Sequence, residues 1–334
     1  MTKFFIYLLF PIMLLADTIR PVMIYDSAIL EDESWNSMIH KGIVRFEKKF
    51  DIDVKETMIL ESKDFDEKVK QLAKEGYNPI MVNNVDEHKQ RAIKEVMLAY
   101  PKKRYIILNG SFNIPNADFF VFSYQEATFL AGYLAAKKSQ TNKIGFVGGM
   151  EIPVIKNFLC GYIKGARHAK KEIEVMYDFI GNDFTAWNDS AKGYDLTSRQ
   201  IDQGADIIFG PAGGSSIGVL KAAHDKGKLG IGVDNNQNHL YPGSVLTSVM
   251  VRVDNAAYMA LTAAHRGIWR DQIKTMGLQE KGVQLAYDQH NASLISDTLH
   301  AELENIKAAI ILNKIALPSY LQTKECLIDG EKLF

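Results

Sequence analysis

Side chains able to recognise a polar, planar ligand recur directly after apolar runs of this sequence. The stretch EDESWNS at 31–37 places a tryptophan and an asparagine behind three acids, after the apolar run PVMIYD. Four later apolar runs are followed by comparable loops, which offer carboxylates, amides, a glycine turn and a second tryptophan. The candidate binding residues are Asp26, Asp32, Trp35, Asn36, Asn109, Trp187, Gly213, Gly214 and Asp234.

Catalytic and metal-binding motifs are absent from the sequence. The eight histidines are scattered, and none forms HExxH or pairs with cysteine at ligand spacing. There is no GxSxG, and GPAGGSSIG (210–218) lacks the lysine of a phosphate loop, which favours a tight turn that lets backbone approach a ligand or another loop. Carboxylates are abundant, so a glycoside hydrolase using two of them stays an alternative. Asp32 and Asp189 are each equally well explained as helix caps.

Trp35 and Trp187 each lie in a polar loop after a predicted strand, one in each half of the chain. A flat ring held between two indoles would bury both of its faces without a directional bond. A quaternary amine would also fit between them. The alternative is that each tryptophan packs only its own loop.

Apolar runs and helical patterns alternate from residue 21 onward. Continuous apolar strands that alternate with helices indicate parallel sheets covered on both faces. Nearly ten strands, with a break after FFVFSY, predict two such sheets in series. In open α/β sheets, ligands bind at the carboxyl ends of strands, where the candidate residues fall.

Length and charge restrict the function further. The 334 residues suggest two domains, and a net charge of −1 provides no basic field for nucleic acid or an anionic membrane. Residues 1–16, MTKFFIYLLFPIMLLA, have the order of a secretory signal peptide, and no cysteine near the cut could take a lipid. Export permits a disulfide. However, Cys160 falls on a predicted buried helix face and Cys326 in the C-terminal tail, so we expect two unpaired thiols.

Six motifs in order resemble the basic membrane protein family of extracytoplasmic substrate-binding proteins, whose best-understood branch is the purine nucleoside receptors of ABC importers. The motifs are DESWNSMIHKG, EATFLAGYLAA, KIGFVGGMEIP, WNDSAKG, QGADIIFGPAGG and IGVDNNQ. The resemblance covers about 21–318. It implies an α/β type I periplasmic-binding-protein fold, with two parallel-sheet lobes joined by three crossovers. We expect lobe 1 at 19–122 plus 250–277, lobe 2 at 123–249 plus 278–318, and a tail at 319–334.

The resemblance also implies roles for residues. Asp32, Trp35 and Asn36 match a motif that takes part in base recognition, and Trp187 matches a second aromatic that stacks on the opposite face of the base. Asp234 matches the aspartate that holds the ribose hydroxyls. The glycines of the family's AGG motif are Gly213 and Gly214.

Two positions depart from the family pattern. Asn109 replaces the usual aspartate, which bears on the choice of base. Val251 replaces a lysine used at the sugar, and the neighbouring Arg252 points to the opposite strand face.

The resemblance implies a non-enzymatic, monomeric, periplasmic binding protein without a cofactor, which passes a purine nucleoside to an ABC permease and binds no nucleic acid. The alternatives are a nucleoside or glycoside hydrolase, and a sensor that presents its ligand to a membrane receptor.

Overall fold

The computed structural model describes residues 19–25, 30–59, 64–83, 87–112, 114–317, 319–328 and 330–334. The predicted signal peptide at 1–16 and the candidate Asp26 lie outside these residues. Within them, strand and helix alternate as the sequence predicts. The strands, numbered in chain order, are β1 (Val22–Tyr25), β2 (Lys55–Met58), β3 (Ile80–Asn83), β4 (Tyr105–Leu108), β5 (Ala117–Phe122), β6 (Lys143–Met150), β7 (Glu174–Gly181), β8 (Ile207–Phe209), β9 (Leu229–Asp234), β10 (Val245–Val251), β11 (Ile273–Met276), β12 (Val283–Leu285), β13 (Leu327–Ile328) and β14 (Glu331–Lys332).

The helices connect and cover these strands. They are α1 (Trp35–Phe50), α2 (Phe65–Lys74), α3 (Glu87–Ala99), α4 (Tyr124–Lys138), α5 (Pro153–Ala169), α6 (Ser190–Asp202), α7 (Ser216–Asp225), α8 (Val253–His265), α9 (Asp297–Ile311) and α10 (Tyr320–Thr323).

Two six-stranded sheets form the centres of two lobes. Sheet 1, in lobe 1, has the order β11-β5-β4-β3-β1-β2, and sheet 2, in lobe 2, has the order β12-β10-β9-β8-β6-β7. All pairs in sheet 1 are parallel. In sheet 2 the β10–β12 pair is antiparallel, which the expectation of purely parallel sheets did not include. The chain passes between the sheets after β5, after β10 and after β11, so three crossovers join the lobes as expected for the type I fold.

Both faces of the central strands are buried. In β1, Val22 and Ile24 belong to one apolar cluster, whereas Met23 and Tyr25 belong to another on the opposite face. This period of two follows from the pleat of a strand. Helices α2 and α3 contribute to the first cluster, and α1 and α8 to the second. Burial on both faces explains why these strands read as continuous apolar runs.

The expectation of two unpaired thiols is wrong, because Cys160 and Cys326 form a disulfide. The C-terminal tail has no clear sequence pattern, yet it folds as α10, which packs against α5, and as the antiparallel β13–β14 pair. Asn157 Oδ1 on α5 accepts the backbone N–H of Tyr320 at 2.8 Å, and both cysteines are buried. This docking brings together two cysteines that are 166 positions apart in the chain.

Candidate ligand-binding site

The order of the strands locates a crevice in each sheet. In sheet 1, β1 lies between β2 and β3, and the chain winds outward from β1 on one side and from β3 on the other. In sheet 2 the same change of direction falls between β6 and β8. Ligands of open α/β sheets bind at such points, outside the carboxyl ends of the strands. The candidate residues within the described part of the chain lie at or just after these ends.

Asp32 holds the start of α1. Its carboxylate oxygens accept the backbone N–H groups of Ser34 (2.9 Å), Asn36 (3.0 Å) and Ser37 (3.0 Å). A helix leaves its first N–H groups without intrahelical partners, and this carboxylate satisfies them. Burial raises the pKa of Asp32, and the three backbone hydrogen bonds oppose that rise. Of the two explanations open at Asp32, the structure shows helix capping. Asn36 is buried within the same turn.

Trp35 is the first residue of α1 and is half-buried rather than exposed. Its ring meets that of Phe122, the last residue of β5, edge to face with centroids 5.7 Å apart. Its indole Nε1 is buried and has no hydrogen-bond acceptor in the described part of the chain. The indole therefore lies at the carboxyl edge of sheet 1 and retains an unused donor.

Trp187 ends a short 3₁₀ helix at Phe184–Trp187 and covers the crevice of sheet 2. A β-carbon at Gly149, near the end of β6, would lie 2.2 Å from Cζ3 of the indole, so only glycine admits the ring there. Gly213 has φ +58°, a left-handed conformation that favours glycine, and a β-carbon there would lie 3.5 Å from Trp187 Cε3. At Gly214 a β-carbon would lie 3.2 Å from the Trp187 carbonyl oxygen. The glycine turn therefore lets another loop approach, one of the two explanations left open above.

Asp234 ends β9 with φ 61° and is buried. Ser34 Oγ, from the other lobe, donates to its Oδ2 at 2.5 Å. The pKa of Asp234 is raised to about 7, mainly by burial; the hydrogen bond from Ser34 opposes the rise, and the nearby charge of Asp32 adds to it. A carboxyl group in this environment readily accepts hydroxyl donors.

Further hydrogen bonds join the lobes beside Asp234. Gln237 Nε2 donates to the Glu33 carbonyl oxygen at 3.0 Å, and Asn235 Nδ2 donates to Glu33 Oε2 at 3.2 Å. Lys41 Nζ donates to Asn235 Oδ1 at 3.3 Å. The structure therefore shows the lobes in contact at the mouth of the cleft. The sequence pattern did not single out Ser34 or Glu33, although both lie inside the EDESWNS stretch.

The remaining positions fall as follows. Asn109 follows β4 with φ 64°, and its N–H donates to the Phe120 carbonyl oxygen at 2.8 Å. Val251 is buried in the core, and Arg252 donates two hydrogen bonds of 2.8 Å to the carboxylate of Asp254, which raises the pKa of Arg252. Residues 251 and 252 thus bring no free cation to the cleft.

Within the described ranges, no cluster of three or more His, Cys, Asp or Glu side chains is arranged to hold a metal ion. No described helix is both long and apolar enough to cross a bilayer.

A comparison with protein families gives a match over residues 19–320 to Bmp, described as ABC transporter substrate-binding protein PnrA-like. The chain belongs to this family. It is accordingly a substrate-binding protein of the ABC transporter class, as the resemblance predicted, and the family is one of binding proteins rather than enzymes.

Relatives of known name agree with this membership. Basic membrane protein D of Borreliella burgdorferi (strain JD1) is 36% identical over 225 residues, which are 64% of this chain and 63% of that protein. Basic membrane protein B of Borrelia garinii subsp. bavariensis is 32% identical over 282 residues, 77% of this chain and 78% of that protein. Among solved structures, an ABC transporter solute-binding protein of Aeropyrum pernix K1 has a TM-score of 0.81 at 22% identity, covering 90% of this chain and 94% of that one, which shows the shared fold.

Proposed function

We propose that this Bmp-family protein captures a purine nucleoside between its lobes and passes it to the permease of an ABC importer. The observation that carries the proposal is one indole at the carboxyl edge of each sheet, with the buried Asp234 carboxyl group between the lobes. The candidate contacts are the residues named from the sequence, with Asp32 shaping the loop that presents Trp35.

Stacking supplies the affinity in this proposal. Burying a base against one aromatic ring contributes roughly 1–3 kcal/mol by alanine substitution in single-strand binders. A base between Trp35 and Trp187 would be covered on both faces, and since the rings belong to different lobes, binding and lobe closure would reinforce each other.

Asp234 supplies the polar contact. The Ser34 hydroxyl donates to this carboxyl group across the cleft, and a ribose hydroxyl offers the same chemistry. Because Val251 is apolar and Arg252 is held by Asp254, recognition of the sugar would depend on Asp234. Nucleosides should then bind more tightly than the corresponding free bases.

The test is intrinsic fluorescence titrated with adenosine, guanosine and choline. A purine nucleoside should change the signal saturably. Trp35→Ala and Trp187→Ala should remain folded and lose on the order of tenfold or more in affinity, since about 1.4 kcal/mol is one decade. Choline separates this proposal from a site for quaternary amines.

Trp269→Ala is the matched control, because Trp269 lies after α8, where Arg104 stacks over its ring at 5.3 Å. The affinity of the Trp269→Ala variant for nucleoside should equal that of the wild type. Wild-type affinity in both cleft variants would show that Trp35 and Trp187 are structural and would refute the proposed site.

A hydrolase is the second candidate, because Asp32 and Asp234 lie close enough for the charge of Asp32 to raise the pKa of Asp234, and two neighbouring carboxyl groups can form an acid–base pair. Against it, the carboxylate of Asp32 already accepts three backbone N–H groups. Incubation with nucleosides followed by chromatography separates the two: we expect stoichiometric binding and intact ligand, whereas released base would favour the enzyme.

Delivery to a permease, a periplasmic location and a monomeric state belong to the same proposal. Liganded protein should stimulate ATP hydrolysis by its permease complex reconstituted in a membrane. A protein that served only to present its ligand to a receptor would leave that rate unchanged.

A further inference from the structure

Asn83 is the last residue of β3 and lies at the crevice of sheet 1. Val82 pairs with Ile24 of β1, and Asn83 itself pairs with Leu108 of β4. The carboxyl end of β3 therefore borders the point where the strand order changes direction, between the ends of β1 and β4. Asn109 follows Leu108 directly in the chain.

The pleat places the Asn83 side chain on the α1 side of the sheet. Ile80 and Val82 belong to the cluster under α2 and α3, whereas Met81 belongs to the cluster that includes α1. Residues two apart in a strand share a face, so Asn83 faces the same way as Met81. Trp35 packs against this same cluster.

The Asn83 side chain is buried, and its amide donor is not satisfied by a hydrogen bond within the described residues. The residue is 2% exposed, and its Nδ2 has no hydrogen-bond partner among the described residues. Trp35 Nε1 is a second donor in the same condition. Leaving a buried donor unpaired costs more than a typical hydrogen bond contributes, so such groups in a folded protein call for an explanation.

Both donors lie where the sheet architecture places ligands, and a ligand acceptor would satisfy them. We propose that Asn83 is a specificity-determining residue, whose Nδ2–H donates to an acceptor on the edge of the bound ring. The ligand class is a heteroaromatic ring with an unprotonated ring nitrogen or a carbonyl oxygen at that edge. This inference rests on the proposed function, because it takes the ring to lie against Trp35.

The test is calorimetry with adenosine and its 1-deaza, 3-deaza and 7-deaza analogues, each of which replaces one ring nitrogen by C–H. At least one analogue should bind the wild type roughly tenfold more weakly than adenosine, since it lacks one acceptor. Asn83→Asp keeps the shape and removes the N–H donors, and Asn83→Leu removes all polarity. Both should bind adenosine roughly tenfold more weakly and lose the discrimination against that analogue.

Tyr105→Phe is the matched control. Tyr105 begins β4, so its buried hydroxyl, which has no hydrogen-bond partner among the residues that the structure describes, lies at the opposite edge of the same sheet. This variant should retain both the affinity and the discrimination. A merely structural role for Asn83 would lower the affinity for adenosine and its analogues equally, which is why the ratio of affinities is decisive.

The inference is overturned if Asn83→Leu keeps the full discrimination, or if no analogue binds the wild type more weakly than adenosine. If both Asn83 variants unfold, Trp35→Phe provides the test. Discrimination against the analogue that persists in Trp35→Phe supports Asn83 as its source. Discrimination that disappears comes from Trp35 Nε1 and overturns the inference. A wild type that binds no nucleoside refutes the proposed function, and the inference with it. Binding without discrimination refutes the inference alone.

Discussion

Asp234→Asn tests whether the lobes close in the empty protein. The side chain of Asp234 is buried, and Ser34 of the other lobe donates a hydrogen bond to it. Asparagine has nearly the same shape and still accepts from Ser34, but it does not titrate. Comparing the two proteins across pH therefore isolates the proton on this one carboxyl group.

The magnitude follows from the pKa. Burial raises the pKa of Asp234 from 3.8 to about 7. One pKa unit corresponds to about 1.4 kcal/mol, so the full difference is about 4 kcal/mol. Between these two values the closed state holds a proton that the unfolded state has lost, so stability falls as pH rises through this window and levels off above it. If the lobes open when Asp234 ionises, water reaches the carboxylate and relieves part of the cost of its burial. The difference in the free energy of unfolding is therefore at most about 4 kcal/mol.

The assay is urea unfolding of both proteins, without ligand, between pH 4.5 and 8. The free energy of unfolding of wild type minus that of Asp234→Asn should fall across this range by a measurable part of that limit. Asp225→Asn is the control. Asp225 is exposed and pairs with Lys221, whose hydrogen bond lowers the pKa of the Asp225 carboxyl group. The contribution of Asp225 to stability is therefore constant above pH 5. A difference for Asp234→Asn that stays flat across the range would refute the reasoning, since it would mean that Asp234 is solvated in the empty protein.

Three further variants test single contacts. Gly149→Ala should displace the Trp187 ring, since its β-carbon would lie 2.2 Å from Cζ3; a shifted emission spectrum and weaker nucleoside binding would show this, and unchanged emission would contradict it. Cys160→Ser or Cys326→Ser should lower the free energy of unfolding by about 2–5 kcal/mol, measured by urea unfolding, because the disulfide closes a long loop; equal stability with and without reductant would argue against the bond. Asn109→Asp should shift preference from adenosine toward guanosine and inosine, since an ionised carboxylate only accepts hydrogen bonds; an unchanged ratio of calorimetric affinities would exclude a role in base choice.

Most of the fold follows from local patterns. Buried strands such as Val22–Tyr25 and Ile80–Asn83 are continuously apolar or nearly so, and the helical periodicity between them is clear, so the two-sheet α/β architecture is predictable. Strand Ile273–Met276 was not predicted. It lies at the edge of sheet 1, where Ile273 and Thr275 are exposed, and its polar lysine and threonine interrupt any continuous apolar signal.

The candidate site was partly predictable, for a geometric reason. Residues that follow parallel strands gather at one edge of each sheet, so Trp35, Trp187 and Asp234 could be named from position alone. Ser34, Glu33 and Asn83 were not named. The contacts of Ser34 and Glu33 join residues about 200 positions apart, and the isolation of the Asn83 amide depends on what surrounds it in the folded chain.

The sequence by itself determined the order of strands and helices, the two-lobe architecture and the loops at the strand ends, because these depend on periodicity within about ten residues. Only the tertiary structure decided that Cys160 bonds to Cys326 and that Ser34 covers Asp234. Each of these depends on which surfaces meet when the lobes and the tail pack together. Burial and hydrogen bonding act through space, and no local pattern along the chain encodes which distant groups will share a low-dielectric contact.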